Sequence, residues 1–467
     1  MILECELIFF ASVSILAGTS ILILRRVIVS ETQQPASAPS PTSHGSRGES
    51  TLLWTVWFTY GAFYFCRTNI SAAVPGLKAS VDAGGLGLTA TEVSYILGAT
   101  KIAYASGQLI NGQFSEQLSP RKLLAIGMLG TALLNILFGF GTALYFLIFI
   151  WACNGYSQSL GWTPSVRVLA NWFPPERRGK VIGFIGTGYQ ATAVLTFLVS
   201  GFAAAQFGWR GALWVPAGIM VAAAVIMLLF LEEHPPEAES DHEELVFTPP
   251  RNDPRNSAWE NFLLTITNPA LWLLGISLGL LNACRYGFLD WGLTHLKEVQ
   301  DTGVGMAALK YAVLPVGGIA GSYLAGWATD RFFGSRRAPV TCILLVLLAA
   351  LSLAYDTVAR TSLPATIVLL VLIGFCIYGP QVLLVGTAPA DLARKGTSAA
   401  AAGFVNSMGY VGAATGDYFT GRALDEYGWQ RAIFLWAAWA LGSAVAAGLL
   451  WNATAARPHH DEATQET

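Results

Sequence analysis

Two arginines in this chain of 467 residues stand where a charge is expensive. Arg67 and Arg285 each lie inside a long apolar run, in the segments Tyr60-Gly-Ala-Phe-Tyr64-Phe-Cys-Arg67-Thr-Asn69 and Arg285-Tyr-Gly-Phe-Leu-Asp290-Trp291. At 1.5 Å per helical residue they sit roughly 24–26 Å from the start of their runs. That is near the middle of a bilayer once the interfacial layers are included. An arginine there costs about 2.5–3.5 kcal/mol by insertion measurements. No acid lies one helical turn from either, and Asp290, five residues beyond Arg285, falls on a different face. A lone arginine could be satisfied by carbonyls or a distant acid, whereas two at matched depth point to a ligand. A guanidinium is a planar fork that grips phosphate in bidentate fashion, so the chemistry indicated is the binding of a small anionic substrate.

Other side chains accompany them. Tyr60 and Tyr64 precede Arg67 by seven and three residues and share its face. Their hydroxyls can donate to substrate oxygens, or the rings can form a packing stripe, and the spacing serves both. Lys101, in the next run, either adds positive field at the site or reaches outward to water, and the snorkelling habit of lysine favours the second. Arg167, near the end of the fourth run, reads as structural.

These residues must be held by membrane-crossing helices. Hydrophobic residues make up 54% of the chain and charged residues 12%, with a mean hydropathy of +0.51, where soluble domains are about 25% charged. Twelve runs are long enough to span a hydrocarbon core: 51–76, 91–115, 122–142, 144–170, 180–205, 209–231, 268–294, 305–330, 338–356, 362–388, 397–420 and 429–451. The expected fold class is therefore an all-α polytopic membrane protein with a six-helix half over 51–231 and another over 268–451. Between them, 232–267 is an acidic, proline-bearing linker with a short surface helix at Trp259–Thr265, and Asn268-Pro269 starts the seventh span. Arg121, Lys122, Arg177, Arg178, Lys180, Arg331, Arg336, Arg337, Arg394 and Lys395 all fall on the linker side, which is therefore cytoplasmic. A further apolar run within 1–30 reads either as an additional N-terminal transmembrane helix or as translated upstream sequence. It is followed by a flexible Pro/Ser/Thr-rich linker over 31–50, and the chain ends in a polar tail over 452–467.

The chain also repeats itself at an offset of about 217 residues. Cys66-Arg67 is answered by Cys284-Arg285, Arg178-Gly179 by Lys395-Gly396, and Gly208-Trp209 by Gly428-Trp429. Gly112-x-x-x-Glu116 before Arg121-Lys122 is answered by Gly326-x-x-x-Asp330-Arg331 before Arg336-Arg337. Two halves of parallel topology with a site between them follow from this order. The glycine permits close helix contact and the acid can pair with basic residues at neighbouring helix ends. Gly112, Glu116, Gly326, Asp330 and Arg331 are thus the expected conformational latch.

Several functions are excluded. A net charge of −2 and a pI near 6.3 give no electrostatic case for a nucleic-acid partner. The six cysteines are widely spaced and read as small buried hydrophobes. Gly186-x-Gly188-x-x-Ala191 and Gly85-x-Gly87-x-x-Ala90 follow no strand, so neither is a dinucleotide fingerprint. There is no Walker A sequence, metal-spaced histidine pair or nucleophile–base constellation. No enzyme activity, cofactor or metal is expected, and the partners beyond substrate reduce to the lipid bilayer around a monomer.

The glycine–acid–basic loops resemble the signature of the major facilitator superfamily. The two arginine segments resemble those of its organophosphate:phosphate antiporters, the family of the glycerol-3-phosphate and hexose-phosphate transporters. Asn154-Gly-Tyr-Ser-Gln-Ser-Leu-Gly161-Trp162, Thr294-His-Leu-Lys-Glu-Val299 and Ile377-Tyr378-Gly379-Pro380 are similar to further stretches of that family, and the resemblance runs from about 52 to 451. It implies a major facilitator fold in a bacterial inner membrane, and exchange of an organic phosphate for inorganic phosphate by alternating access. It further implies that Arg67 and Arg285 bind the phosphate and that Tyr60, Tyr64 and Tyr378 line the cavity. The well-studied members carry a lysine at the position of Gln108, a histidine at Tyr189 and an acid at Pro315. Differences in the organic half of the substrate and in protonation are expected there, with Lys101, two turns from Gln108 on the same face, as a partial substitute. A transporter of another organic anion and a membrane sensor of sugar phosphates are the alternative functions.

Overall fold

Proline and a capping side chain open three of the membrane helices. Ser119 accepts from the Lys122 N–H ahead of Pro120, Asn268 from the Ala270 N–H around Pro269, and Ser362 from the Ala365 N–H around Pro364. Proline costs nothing at these positions because its missing N–H would be unpaired in any case. In the computed structural model, which describes residues 46–173, 175–234, 258–394 and 397–453, such helices build twelve rods. The N-terminal apolar run, most of the acidic linker, Lys395-Gly396 and the tail from 454 lie outside the described residues.

Seven rods are single helices: spans 2 (Ala90–Gln117), 3 (Pro120–Phe140), 5 (Pro175–Phe207), 6 (Gly211–Phe230), 9 (Arg337–Thr361), 11 (Ser398–Tyr427) and 12 (Trp429–Gly448). Five are interrupted. Span 1 consists of Ser46–Phe65 and Ile70–Lys78, span 4 of Leu144–Gln158 and Trp162–Trp172, and span 8 of Val304–Tyr311 and Val313–Phe332. Span 7 runs from Pro269–Tyr286 through a π turn at Gly287–Trp291 to Gly292–Val299, and span 10 from Leu363–Val382 through a π turn at Leu383–Thr387 to Ala388–Leu392. A short helix, Ala258–Ile266, precedes span 7.

Eight of these rods are long and apolar enough to cross a membrane by composition alone. The other four are spans 1, 2, 4 and 11, which carry Arg67, Lys101, Gln158 and Asp417. Non-helical backbone at membrane depth must find partners within the protein, and the break in span 1 does so through amides. Asn154 and Gln158 donate to the Cys66 carbonyl at 3.3 and 2.8 Å, Asn135 donates to Asn154, and Asn69 donates to Asn135 at 2.8 Å and to the Ala212 carbonyl at 3.1 Å.

The packing repeats with the sequence. Spans 1–5, 2–4 and 3–6 pair in the first half, and spans 7–11, 8–10 and 9–12 pair in the second. Span 7 meets span 11 backbone to backbone at Gly279 and Gly412, where a side chain has no room. Across the halves, span 2 packs on span 11 and span 5 on span 8. The outer ends are joined: Lys78 pairs with Glu298 at 3.2 Å, and Asp425 at the end of span 11 accepts from the Ala90 and Thr91 N–H groups that begin span 2. At the opposite ends, on the linker side, the ties described stay within a half, such as Arg177 to Glu49 at 2.8 Å and Arg394 to Thr267 at 3.0 Å. The molecule is closed toward the outer side. Cys66, Cys284 and Cys376 are buried free thiols.

Candidate anion-binding site

Arg67 sits at the break in span 1, where the first helix ends at Phe65 and the next starts at Ile70. Its Nε donates to Gln158 Oε1 at 2.6 Å, across to the break in span 4. Its guanidinium carbon lies 4.7 Å from the ring centre of Tyr64 and 4.5 Å from that of Tyr104. Arg285, 4% exposed, sits one residue before the end of the first helix of span 7. It faces Tyr286 at 4.8 Å and Tyr378 at 5.2 Å, and its Nε has no hydrogen-bond partner. Among the described residues no acid forms an ion pair with either arginine. Aromatic faces stabilise a guanidinium by roughly 0.5–2 kcal/mol without neutralising it, so both charges remain available to an anion.

Tyrosines bridge the two. Tyr64 stacks on Tyr189 at 5.0 Å, and Tyr189 lies 6.4 Å from Tyr378, which touches Arg285. Tyr60 packs on Trp162 at 4.8 Å and on Tyr64 at 6.0 Å. On the opposite side Tyr104 lies 4.8 Å from Tyr410. Tyr60, Tyr64, Tyr189 and Tyr378 are thus brought together with Arg67 and Arg285. Tyr104, Tyr286 and Tyr410 complete the ring and were not anticipated. Only Tyr104 carried a signal, three residues from Lys101; Tyr286 adjoins Arg285 and Tyr410 has no cation within a turn, so their place at the site depends on packing.

Two expectations for Lys101 are corrected. Lys101 does not snorkel outward; it is 6% exposed and bonds Asp290 Oδ2 at 2.6 Å and Asp417 Oδ2 in an ion trio across the halves, with its ammonium 4.2 Å over the Tyr286 ring. Asp290, correctly no partner of Arg285, is carried to Lys101 on the π turn of span 7. Lys101 therefore cannot stand in as a free cation for Gln108, whose own amide donates to the Ser159 carbonyl at 3.3 Å. Asp417 is fully buried; as an acid inside a membrane span it was legible in the sequence as a candidate and overlooked.

The second copy of the latch pairs its acid with a neighbouring helix end, as expected, but does not join the halves. Asp330 bonds Arg337 at 2.9 Å, not its neighbour Arg331, and Arg337 also reaches Asp391 at 3.2 Å. Spans 8, 9 and 10 are tied together at their cytoplasmic ends, inside one half and not between halves. Gly326 has open space around it. The side chains of the first copy, Gly112 and Glu116, lie outside the described residues. Arg167 donates to the Leu118 carbonyl at 3.0 Å. Pro315 is buried in span 8.

Residues 56–417 match the sequence profile described as Major Facilitator Superfamily. The chain is 30% identical over 393 residues to the membrane sensor protein UhpC of Escherichia coli, covering 81% of this chain and 87% of that one. It is 28% identical over 396 residues to a probable hexose phosphate transport protein of Chlamydia muridarum, covering 81% and 86%. Among solved structures, the bacterial homologue of the human lysosomal transporter Spinster superposes with a TM-score of 0.69 at 14% identity, over 88% of this chain and 98% of that one.

Proposed function

The chain belongs to the Major Facilitator Superfamily, and on that premise we propose that it exchanges a phosphorylated small organic molecule, of the sugar phosphate or glycerol phosphate type, for inorganic phosphate by alternating access. It is a multi-pass integral membrane protein and a transporter, not an enzyme. The observation that carries the reading is the arginine pair: one guanidinium from each half, at matching positions of spans 1 and 7, without an acid on either among the described residues. Two guanidinium forks, one from each half, suit a tetrahedral dianion better than a neutral solute. The naming of the Chlamydia muridarum relative for hexose phosphate adds support.

In this reading Arg67 and Arg285 hold the phosphoryl group, and Tyr60, Tyr64, Tyr189 and Tyr378 line the space for the remainder. The halves 51–231 and 268–451 rock about them, with Asp330 and Arg337 keeping the cytoplasmic end of the second half rigid. One chain contains the whole site, so a monomer suffices. Exchange of two anions of similar charge moves little net charge, so the membrane potential, about 2.3 kcal/mol per charge per 100 mV, has little influence.

The test is uptake of labelled phosphate into proteoliposomes with and without internal phosphate. Label accumulating only in loaded vesicles supports exchange, whereas no uptake by folded protein overturns it. A sensor is the second reading, favoured by the name of the relative that is 30% identical. It requires that sugar phosphates bind to the purified protein without crossing the membrane.

A further inference from the structure

We propose that His295, near the outer end of span 7, is a proton-binding site, and that protonation there loosens the outer closure between the halves. The inference goes beyond the phosphate reading and does not depend on it. His295 is fully buried. Its ring packs on Tyr355 of span 9 at 4.8 Å and on Trp429, the first residue of span 12, at 4.9 Å. Its Nε2 lies 2.8 Å from Asp356 Oδ1. An ionised carboxylate only accepts, so Nε2 carries the hydrogen, and in the neutral ring Nδ1 keeps a free lone pair. Among the described residues Nδ1 has no hydrogen-bond partner. The closed form therefore suits a neutral ring with one open position for a proton.

Asp356 does not supply the counter-charge alone, because Arg360 already grips it, with Nε at 3.1 Å from both oxygens and Nη2 at 2.9 Å from one. Glu298, three residues beyond His295, shares its face of the helix. Both Glu298 oxygens are engaged in the closed form, one with Lys78 of the first half at 3.2 Å and the other with Trp429 Nε1 at 2.7 Å. The remaining titratable groups packed on this end of span 7 are occupied elsewhere. Lys310 of span 8 bonds Gln300 at 2.9 Å, Tyr311 donates to the Phe288 carbonyl at 2.7 Å, and Tyr355 to the Gly292 carbonyl at 3.4 Å.

Asp356, Arg360, Glu298 and Trp429 all belong to the second half and travel with His295. Lys78 belongs to the first and departs when the outer ends separate. The charge of Glu298 is thus neutralised in the closed form and free in the open one. A free carboxylate one turn away favours the imidazolium, so the open form binds the proton more tightly. By reciprocity the proton favours the open form. Histidine is the side chain that ordinarily changes charge between pH 5 and 8, so acid on the outer side shifts the population toward opening.

The test follows the distance between spin labels on Val81→Cys and Tyr427→Cys, with the native cysteines replaced by alanine, at pH 8 and pH 5 without substrate. With His295 intact the outer-open fraction is expected to rise about threefold at pH 5, the scale set by a part-exposed ion pair. His295→Gln keeps a donor for Asp356 and cannot titrate, and its distances are expected to be the same at both pH values. Lys78→Ala removes the tie itself, so the open fraction rises at pH 8 and the response to acid disappears. An unchanged distribution with His295 intact overturns the inference, and so does a response that persists in folded His295→Gln. If that variant does not fold, Lys78→Ala decides: a full threefold response there places the proton on another group, such as Asp425, and overturns the assignment.

Discussion

Gln158 holds Arg67 by its Nε, accepting at 2.6 Å, while its own amide donates at 2.8 Å to the carbonyl of Cys66, the residue before the arginine. One side chain from the break in span 4 therefore sets both the guanidinium and the broken backbone that carries it. A hydrogen bond to a charged group contributes about 1.5–3 kcal/mol. Gln158→Ala is expected to weaken phosphate exchange about tenfold, chiefly in KM. Gln158→Glu is expected to be worse, about 100-fold, because a carboxylate there pairs with Arg67 and cancels the charge meant for substrate. Phosphate self-exchange kinetics of the two variants check the order, and an equal loss would contradict it.

Replacing either arginine by lysine keeps the charge and removes the fork. Arg67→Lys and Arg285→Lys are each expected to lower kcat/KM for phosphate exchange by at least about 100-fold, or roughly 2.7 kcal/mol, with the protein still inserted and folded. Wild-type exchange by both variants would sink the assignment. The measurement pairs initial rates with a thermal-unfolding scan of each purified protein.

The outer closure depends on a cap supplied from the other half. Asp425 accepts from the N–H groups of Ala90 and Thr91 and from the Thr91 hydroxyl, three donors that no residue of span 2 satisfies in its place. Loss of a cap costs about 1 kcal/mol, so Asp425→Ala is expected to shift the population away from the outer-closed form about fivefold. Lys78→Ala should do less, because its partner Glu298 is 41% exposed and such pairs are weak. Spin labels at Val81 and Tyr427, exposed outer positions on opposite halves, report the distance change in each variant.

Asn135 is the middle of the amide relay that supports the arginine segment, donating to Asn154 Oδ1 and accepting from Asn69. Asn135→Leu leaves two buried amide groups short of partners, a cost of about 1–3 kcal/mol each. The variant is expected to melt several degrees lower in detergent and to bind phosphate more weakly, since the Cys66–Arg67 backbone loses part of its anchor. Unchanged melting would show that the relay is not needed for stability.

The legibility of the fold varied with the range of the interactions involved. Hydropathy located the spans because crossing a bilayer needs about 20 apolar residues in a row, a local property. It smoothed over the breaks around Arg67 and after Gln158 because an interruption of a few residues disappears in a window of that length. Internal comparison of the two halves matched Arg67 with Arg285, which needs no knowledge of packing. The latch was found in the right loop, with its acid paired to a basic residue at a neighbouring helix end, Arg337; which spans that pair joins was not legible, because it depends on how the helices pack.

By itself, then, the chain specified twelve spans, the internal repeat and the matched positions of Arg67 and Arg285, all of which follow from hydropathy and order along the sequence. Folding decided what the other charges are for. Lys101 meets Asp290 and Asp417 across separations of 189 and 316 residues, through a π turn and a contact between halves. No periodicity encodes which of several buried ions meet, because that depends on how separate helices are turned against one another. The same lysine reads as a spare cation in one dimension and as a neutralised one in three.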